Sequence, residues 1–83
     1  MTVVDHLDPT PLYVQLADIL REMIASGDLP PRALLPSESY LEQEHAVSRG
    51  TVRLAMGVLR DEGLVVTIKG RGTFVRPDAR QDG

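Results

Sequence analysis

Residues 37–63, SESYLEQEHAVSRGTVRLAMGVLRDEG, constrain the fold more than any other stretch of the chain. Ser37 is a good N-cap, and Glu38 in the first turn complements the helix dipole. A short helix is therefore expected from about Glu38 to His45, with Tyr40 and Leu41 turned inward. Ser48 is a second N-cap, opening a helix from about Arg49 to Glu62. In that helix Val52, Ala55, Met56 and Leu59 recur at helical spacing as one buried stripe, and Gly63 ends it. Only Ala46 and Val47 separate the two helices. A connection that short admits one arrangement, a close helix-turn-helix.

The flanks complete the domain. Residues 10–26 read as an amphipathic helix: Thr10 as N-cap, Pro11 at the first helical position, and Leu12, Leu16, Ile19, Leu20, Met23 and Ile24 along one stripe. Gly27 is placed to end it in the left-handed conformation. Pro30 and Pro31 exclude helix, and Leu34–Leu35 suit a short extended segment. Beyond Gly63 the period changes. The runs LVVTI and TFVR are β-branched and aromatic and flank KGRG, which predicts a hairpin with a loop of about four residues. The expected fold is mainly α with a small β-hairpin, a winged helix-turn-helix of three helices plus wing. An N-terminal arm (1–9), the domain proper (10–76) and a polar, fraying tail (77–83) make up the chain.

Composition narrows the function. Eighty-three residues suffice for one domain with a modest core. The absence of cysteine removes disulfides, thiolate catalysis and cysteine-based zinc sites, and suits a reducing cytoplasm. No apolar run approaches the ~20 residues of a membrane span, and the N-terminus has no signal-peptide pattern. The formal net charge is −3, but it is unevenly spread. Residues 1–44 hold two basic side chains against eight acidic, whereas residues 45–76 hold six basic against two acidic. A polyanionic partner responds to the local field rather than the total.

Arg49, Arg53 and Arg60 fall on one side of the apolar stripe of the third helix, with Gly50 and Gly57 close by keeping that surface low. Cationic side chains on a shallow helix face suit entry into the ~12 Å major groove, where an arginine fork can bond guanine O6 and N7. Such a pair of arginines is also compatible with an ordinary solvated face. The Lys69–Gly70–Arg71–Gly72 tip adds a second cationic element, slim enough to approach a backbone or minor groove. Other constellations carry less. His6 and His45 have no ligand-spaced neighbours, so no metal site is expected. Glu38, Glu42 and Glu44 read as a solvated face, Met23 and Met56 as core filler, and Ser48 has no base at helical spacing. Neither catalysis nor a cofactor is expected.

The segments PLYVQLADILREMIASGDL (11–29), LPSE (35–38), VSRGTVRLAMGVLRDEGLV (47–65) and GRGTFV (70–75) resemble, in order and spacing, the N-terminal DNA-binding domain of the GntR family of bacterial transcription regulators. The resemblance implies a DNA-binding regulator, most often a repressor. By position it makes Arg49 and Arg53 base- or phosphate-contacting arginines, with Thr51 a contact between them. It puts Ser37 and Ser48 at phosphate-contacting helix starts, and Lys69, Gly70, Arg71, Gly72 and Thr73 on the wing. Gly50 stands where a larger residue is common in the family. Arg32 and Ala46 replace family glycines, and Ser39 replaces a common basic residue. Family members normally continue into an effector-binding, dimerising domain, so a small-molecule effector would need such a domain outside this chain.

Two readings follow. One is sequence-specific binding to double-stranded DNA, expected on a palindromic operator as a homodimer, in the cytoplasm at the nucleoid. The other is a protein-interaction module using the acidic first half.

Overall fold

In a computed structural model, which describes residues 2–79, the order is α1 (Leu12–Ser26), α2 (Glu38–His45), α3 (Arg49–Asp61), β1 (Val65–Ile68) and β2 (Gly72–Val75). The expected winged helix-turn-helix is the observed fold. Residues 80–83 of the predicted tail lie outside the described residues.

Helix α1 packs across α3, and together they build the core. Leu16, Ala17, Leu20 and Ile24 of α1 are buried, as are Val52, Ala55, Met56 and Leu59 of α3. Leu12, Ile19 and Met23 lie at the edge of that core rather than inside it. Arg21 fixes the crossing from outside. Its guanidinium reaches both oxygens of Glu62 at the end of α3, at 2.9 and 2.8 Å, and also Asp18 one turn back. The hydrogen bond from Arg21 holds the Glu62 carboxyl below its ordinary range.

The helix starts divide into one correction and two agreements. Thr10 does not cap α1. The N-cap is Pro11, which offers no side-chain acceptor, and the Thr10 amide is instead bound by the Asp8 carboxylate at 2.8 Å. Ser37 and Ser48 do cap α2 and α3, each accepting an amide hydrogen bond at 3.1 Å from the residue three places on. Gly27 ends α1 at φ 91°, as expected.

Tyr40 is the second correction. It is 48% exposed, whereas its neighbour Leu41 is fully buried. An eight-residue helix has one narrow buried face, and His45 takes the other inward position, four residues after Leu41.

The sheet is slightly larger than a hairpin. β1 and β2 pair antiparallel with Val65 opposite Val75 and Ile68 opposite Gly72. The turn between the strands is therefore Lys69–Arg71, one residue shorter than expected. It is closed by the Arg71 amide donating to the Ile68 carbonyl at 2.9 Å. The Ala33–Leu35 segment adds to the far side of β2. The Leu35 amide donates to Thr73, and the Val75 amide to Ala33, both at 2.8 Å. The backbone of Gly72 favours glycine more than this contact does. Its φ is 121°, and a Cβ there would sit 2.9 Å from a Leu34 methyl.

The two family glycine positions filled here by Arg32 and Ala46 have φ of 73° and 53°. Both side chains sit in the left-handed region, which costs a non-glycine residue about 1–2 kcal/mol. Ala46 takes that conformation as the C-cap of α2, where the chain turns into α3 across Ala46, Val47 and Ser48.

The N-terminal arm is anchored by histidines. Val4 is buried, and its amide donates to His45 Nδ1 at 3.2 Å. His6 Nε2 donates to the His45 carbonyl at 2.8 Å. Accepting at Nδ1 requires a neutral His45 ring. That ring is only 2% exposed, its Nε2 has no partner among the described residues, and burial pushes its pKa down against the pull of Glu44. The unfolded chain protonates near 6.5 while folded His45 resists the proton. Stability should therefore be full above that value, and fall as pH drops below it until the folded pKa is passed. Melting temperatures between about pH 5 and 7 should decline with acidity in the native protein. The decline should flatten in His45→Leu, whose side chain has no proton to gain.

Candidate nucleic-acid interface

The structure brings Ser37 and the wing residues together at one cleft, which Ser48, Arg49, Gly50, Thr51 and Arg53 do not line; Arg53 approaches it only through Glu38. The cleft, of about 600 Å³, opens between the start of α2 and the hairpin. Ser37 lines one side and Lys69, Gly70, Arg71, Gly72 and Thr73 the other, with Met56 of α3 beneath. Arg49, Gly50, Thr51 and Arg53 occupy the first turns of α3, after the Ser48 cap. Arg49, Gly50, Arg53, Lys69, Gly70, Arg71 and Gly72 are all exposed, while Thr51 and Thr73 are half-buried.

Capping decides which hydroxyls are available. Ser37 Oγ accepts from the Tyr40 amide, which leaves its own hydrogen free to point outward. Ser48 Oγ accepts from the Thr51 amide and donates to Thr51 Oγ1 at 3.1 Å. Its single hydrogen is thus spent inside the helix, and the outward donor of the pair is the Thr51 hydroxyl. The sequence put both groups at the site; their division of labour comes from the hydrogen bonding.

The charges are arranged for an external anion. Arg21 is bound to Asp18 and Glu62, and Arg76 to Asp78. Among the described residues Arg32, Arg49, Lys69 and Arg71 enter no ion pair, nor does Arg60, which is bound to a hydroxyl. Arg53 stands between these two groups. Its Nε lies 3.9 Å from Glu38 Oε1. That separation is beyond hydrogen-bond reach, and both side chains are more than two-fifths exposed. Such a pair is worth ~0–1 kcal/mol, so Arg53 is readily drawn to another partner.

Arg60 has a different role from Arg49 and Arg53. Its Nη1 donates to Thr67 Oγ1 at 3.0 Å, and Thr67 Oγ1 lies 3.0 Å from Thr73 Oγ1 across the hairpin. The third arginine of the helix therefore braces the wing against α3. The link depends on the observed register, which sets Thr67 against Thr73; the four-residue loop expected from the sequence would have set Thr67 against Phe74.

Gly50 and Gly57 have no role in packing. A Cβ added to either would meet nothing nearer than 3.9 Å. Each nevertheless weakens the helix by about 0.8–1 kcal/mol relative to alanine.

Among the described residues no group of acidic, histidine or cysteine side chains is assembled to hold a metal, and no helix is long and apolar enough to cross a membrane.

Comparison with known proteins places this geometry. The family model described as bacterial regulatory proteins, gntR family, matches residues 12–75. The chain is 47% identical over 68 residues to the mannosyl-D-glycerate transport/metabolism system repressor MngR of Escherichia coli (strain K12), covering 82% of this chain and 28% of that protein. It is 42% identical over 72 residues to the HTH-type transcriptional repressor NagR of Bacillus subtilis (strain 168), covering 87% and 30%. The chain thus spans under a third of the length of these relatives. Among solved structures, AraR(DBD) in complex with operator ORX1 superposes with a TM-score of 0.83 at 34% identity, over 90% of this chain and 95% of that one. YtrA from Sulfolobus acidocaldarius, a GntR-family transcription factor, gives 0.79 at 38% identity, over 88% and 77%.

Proposed function

The chain belongs to the gntR family of bacterial regulatory proteins, and on that premise we propose that it binds double-stranded DNA sequence-specifically as a transcription regulator, acting as a repressor. Helix α3 enters the major groove by its first turns, and the Lys69–Gly72 tip lies on the backbone or in the minor groove. The observation that carries this reading is that Arg49 at the start of α3 and Lys69 and Arg71 at the wing tip are exposed and enter no ion pair among the described residues, a state they share with Arg32 and Arg60. Arg49 and Arg53 read base edges, Thr51 and Ser37 donate to phosphates, and Lys69 and Arg71 supply affinity without sequence preference.

One winged helix makes few phosphate contacts. Two copies on a palindrome multiply them by symmetry, so the operator is a palindrome and the DNA-bound form a homodimer, in the cytoplasm at the nucleoid. MngR and NagR are named repressors, and AraR(DBD) is seen on an operator; both support the assignment. An effector would bind in a region beyond this chain.

Electrophoretic shifts across a salt series test the proposal. Affinity should fall steeply as salt rises, because each neutralised phosphate releases a counterion. Replacing Lys69 and Arg71 together by alanine should weaken binding to all duplexes alike. It should also flatten the salt slope by about one unit per lost phosphate contact. A double variant that keeps the native slope would remove the wing from the DNA.

A further inference from the structure

The outward face of α3 is not its arginine row. With Val52, Ala55, Met56 and Leu59 buried, helical geometry at 3.6 residues per turn puts Gly50, Leu54 and Gly57 on the opposite face, with Asp61 on the same face at the far end of the helix. Arg49, Arg53 and Arg60 flank it on one side. Leu54 is 58% exposed and lies apart from the hydrophobic side chains that pack on the core. It follows Arg53 directly and has a glycine four residues before it and three residues after it. Neither glycine is required by the fold, since an added Cβ would make only an ordinary contact, with Ser48 Oγ at 3.9 Å or with Arg60 Nη2 at 4.0 Å. The helix therefore carries two residues that weaken it and one bare leucine between them, all on a single face.

We propose that Leu54 is a specificity-determining residue, seated against a thymine C5-methyl in the major groove, and that Gly50 and Gly57 are there to let the helix backbone come close enough for that contact. The inference rests on the DNA-binding reading above. A thymine methyl is the one apolar group on the base edges of that groove. A leucine between two glycines is shaped for it: its branched end projects past a surface that the glycines leave bare on the arginine side, with Thr51 and Val58 as its neighbours on the other. Arg53, one position earlier, supplies the hydrogen-bonding partner for an adjacent base pair. Exposed single leucines are common on protein surfaces and carry no meaning alone. Here the flanking glycines add a loss of helix stability that nothing inside the protein uses.

The test begins with duplexes selected from a random pool by the native protein. Each thymine of the selected site is replaced in turn by uracil, which removes only the methyl group. At one or two neighbouring positions the native protein should lose about fourfold in affinity, the effect of one buried methyl. Leu54→Ala should bind the thymine and uracil duplexes equally. Gly57→Ala should retain or raise the melting temperature, yet bind the selected duplex about tenfold more weakly, because its new methyl holds the helix off the groove. Its affinity for unrelated DNA should be unchanged. The proposal is overturned if every thymine of the site tolerates uracil in the native protein, or if Gly57→Ala keeps full affinity. If selection works and depends on Arg53 while the methyl groups are irrelevant, only the role of Leu54 fails. If no sequence is enriched, the DNA-binding reading fails and Leu54 with it.

Discussion

Arg53→Ala should reduce binding to the selected duplex by ~1–3 kcal/mol and relax the preference at one base position, while leaving the melting temperature nearly where it was. In affinity that is about five- to 150-fold. The two halves of this expectation have separate causes. A guanidinium that donates to two base acceptors leaves them unpaired when it is removed, which gives the loss in binding. Within the protein the same guanidinium has only Glu38, 3.9 Å away in an exposed position. Losing an ion pair of that kind changes stability by ~0–1 kcal/mol. Arg49→Ala should behave similarly, and the double variant should bind selected and unrelated DNA with nearly equal affinity. The competing account makes the arginines structural, held by the carboxylates of α2. Under it, Arg53→Ala lowers the melting temperature and leaves discrimination between duplexes intact. Shift assays and thermal melts on one purified variant separate the two accounts, and a destabilised protein with native DNA preference would falsify the recognition role given to Arg53.

Leu59→Ala should destabilise the fold by ~2–5 kcal/mol, the range for truncating a fully buried leucine that leaves a cavity. Leu59 has no exposed surface and lies on the buried face of α3, which packs against α1. A domain this size has roughly 4–12 kcal/mol in total, from roughly 0.05–0.15 kcal/mol per residue. The variant is therefore expected to melt at least ~10 °C lower, or to be unfolded at room temperature. Leu54→Ala, on the same helix and in the same chemistry, should move the melting point little, because Leu54 already stands in solvent. The pair is a direct measure of helical phasing. Equal effects from the two substitutions would mean that the buried and exposed faces of α3 have been exchanged. Urea titration of both variants, with unchanged slopes and shifted midpoints, would attribute the difference to the folded state.

The local chemistry of this chain was legible in its residues. Ser37 and Ser48 start helices because a serine at that place satisfies an amide the helix cannot, and no tertiary contact is needed to see it. The buried stripe of α3 follows from the 3.6-residue period, and the hairpin follows from a change of period around a glycine-rich turn. The cationic surface was readable for the same reason: once two helices must join across Ala46–Val47, the positions of Arg49 and Arg53 relative to the core are fixed. Two placements went otherwise, one with a long-range contact and one in a local turn. Tyr40 was expected inside, but α2 has only one narrow inner face, and the arm from the other end of the chain made His45 part of it through Val4. Thr10 was expected to cap α1, but the helix begins at Leu12, which makes Pro11 the N-cap and leaves Thr10 in the preceding turn, its amide donating to Asp8. The partners of the three arginines on α3 were equally invisible in the linear order. Arg60 faces a threonine on β1, Arg53 faces Glu38 on α2, and Arg49 faces solvent. Periodicity and capping act over one or two helical turns, so the sequence by itself determined the elements and the faces they bury. Which polar groups meet across those elements depends on how the elements cross. That crossing is set by the packing of α1 on α3 and of the wing on both, and only the tertiary structure decided it.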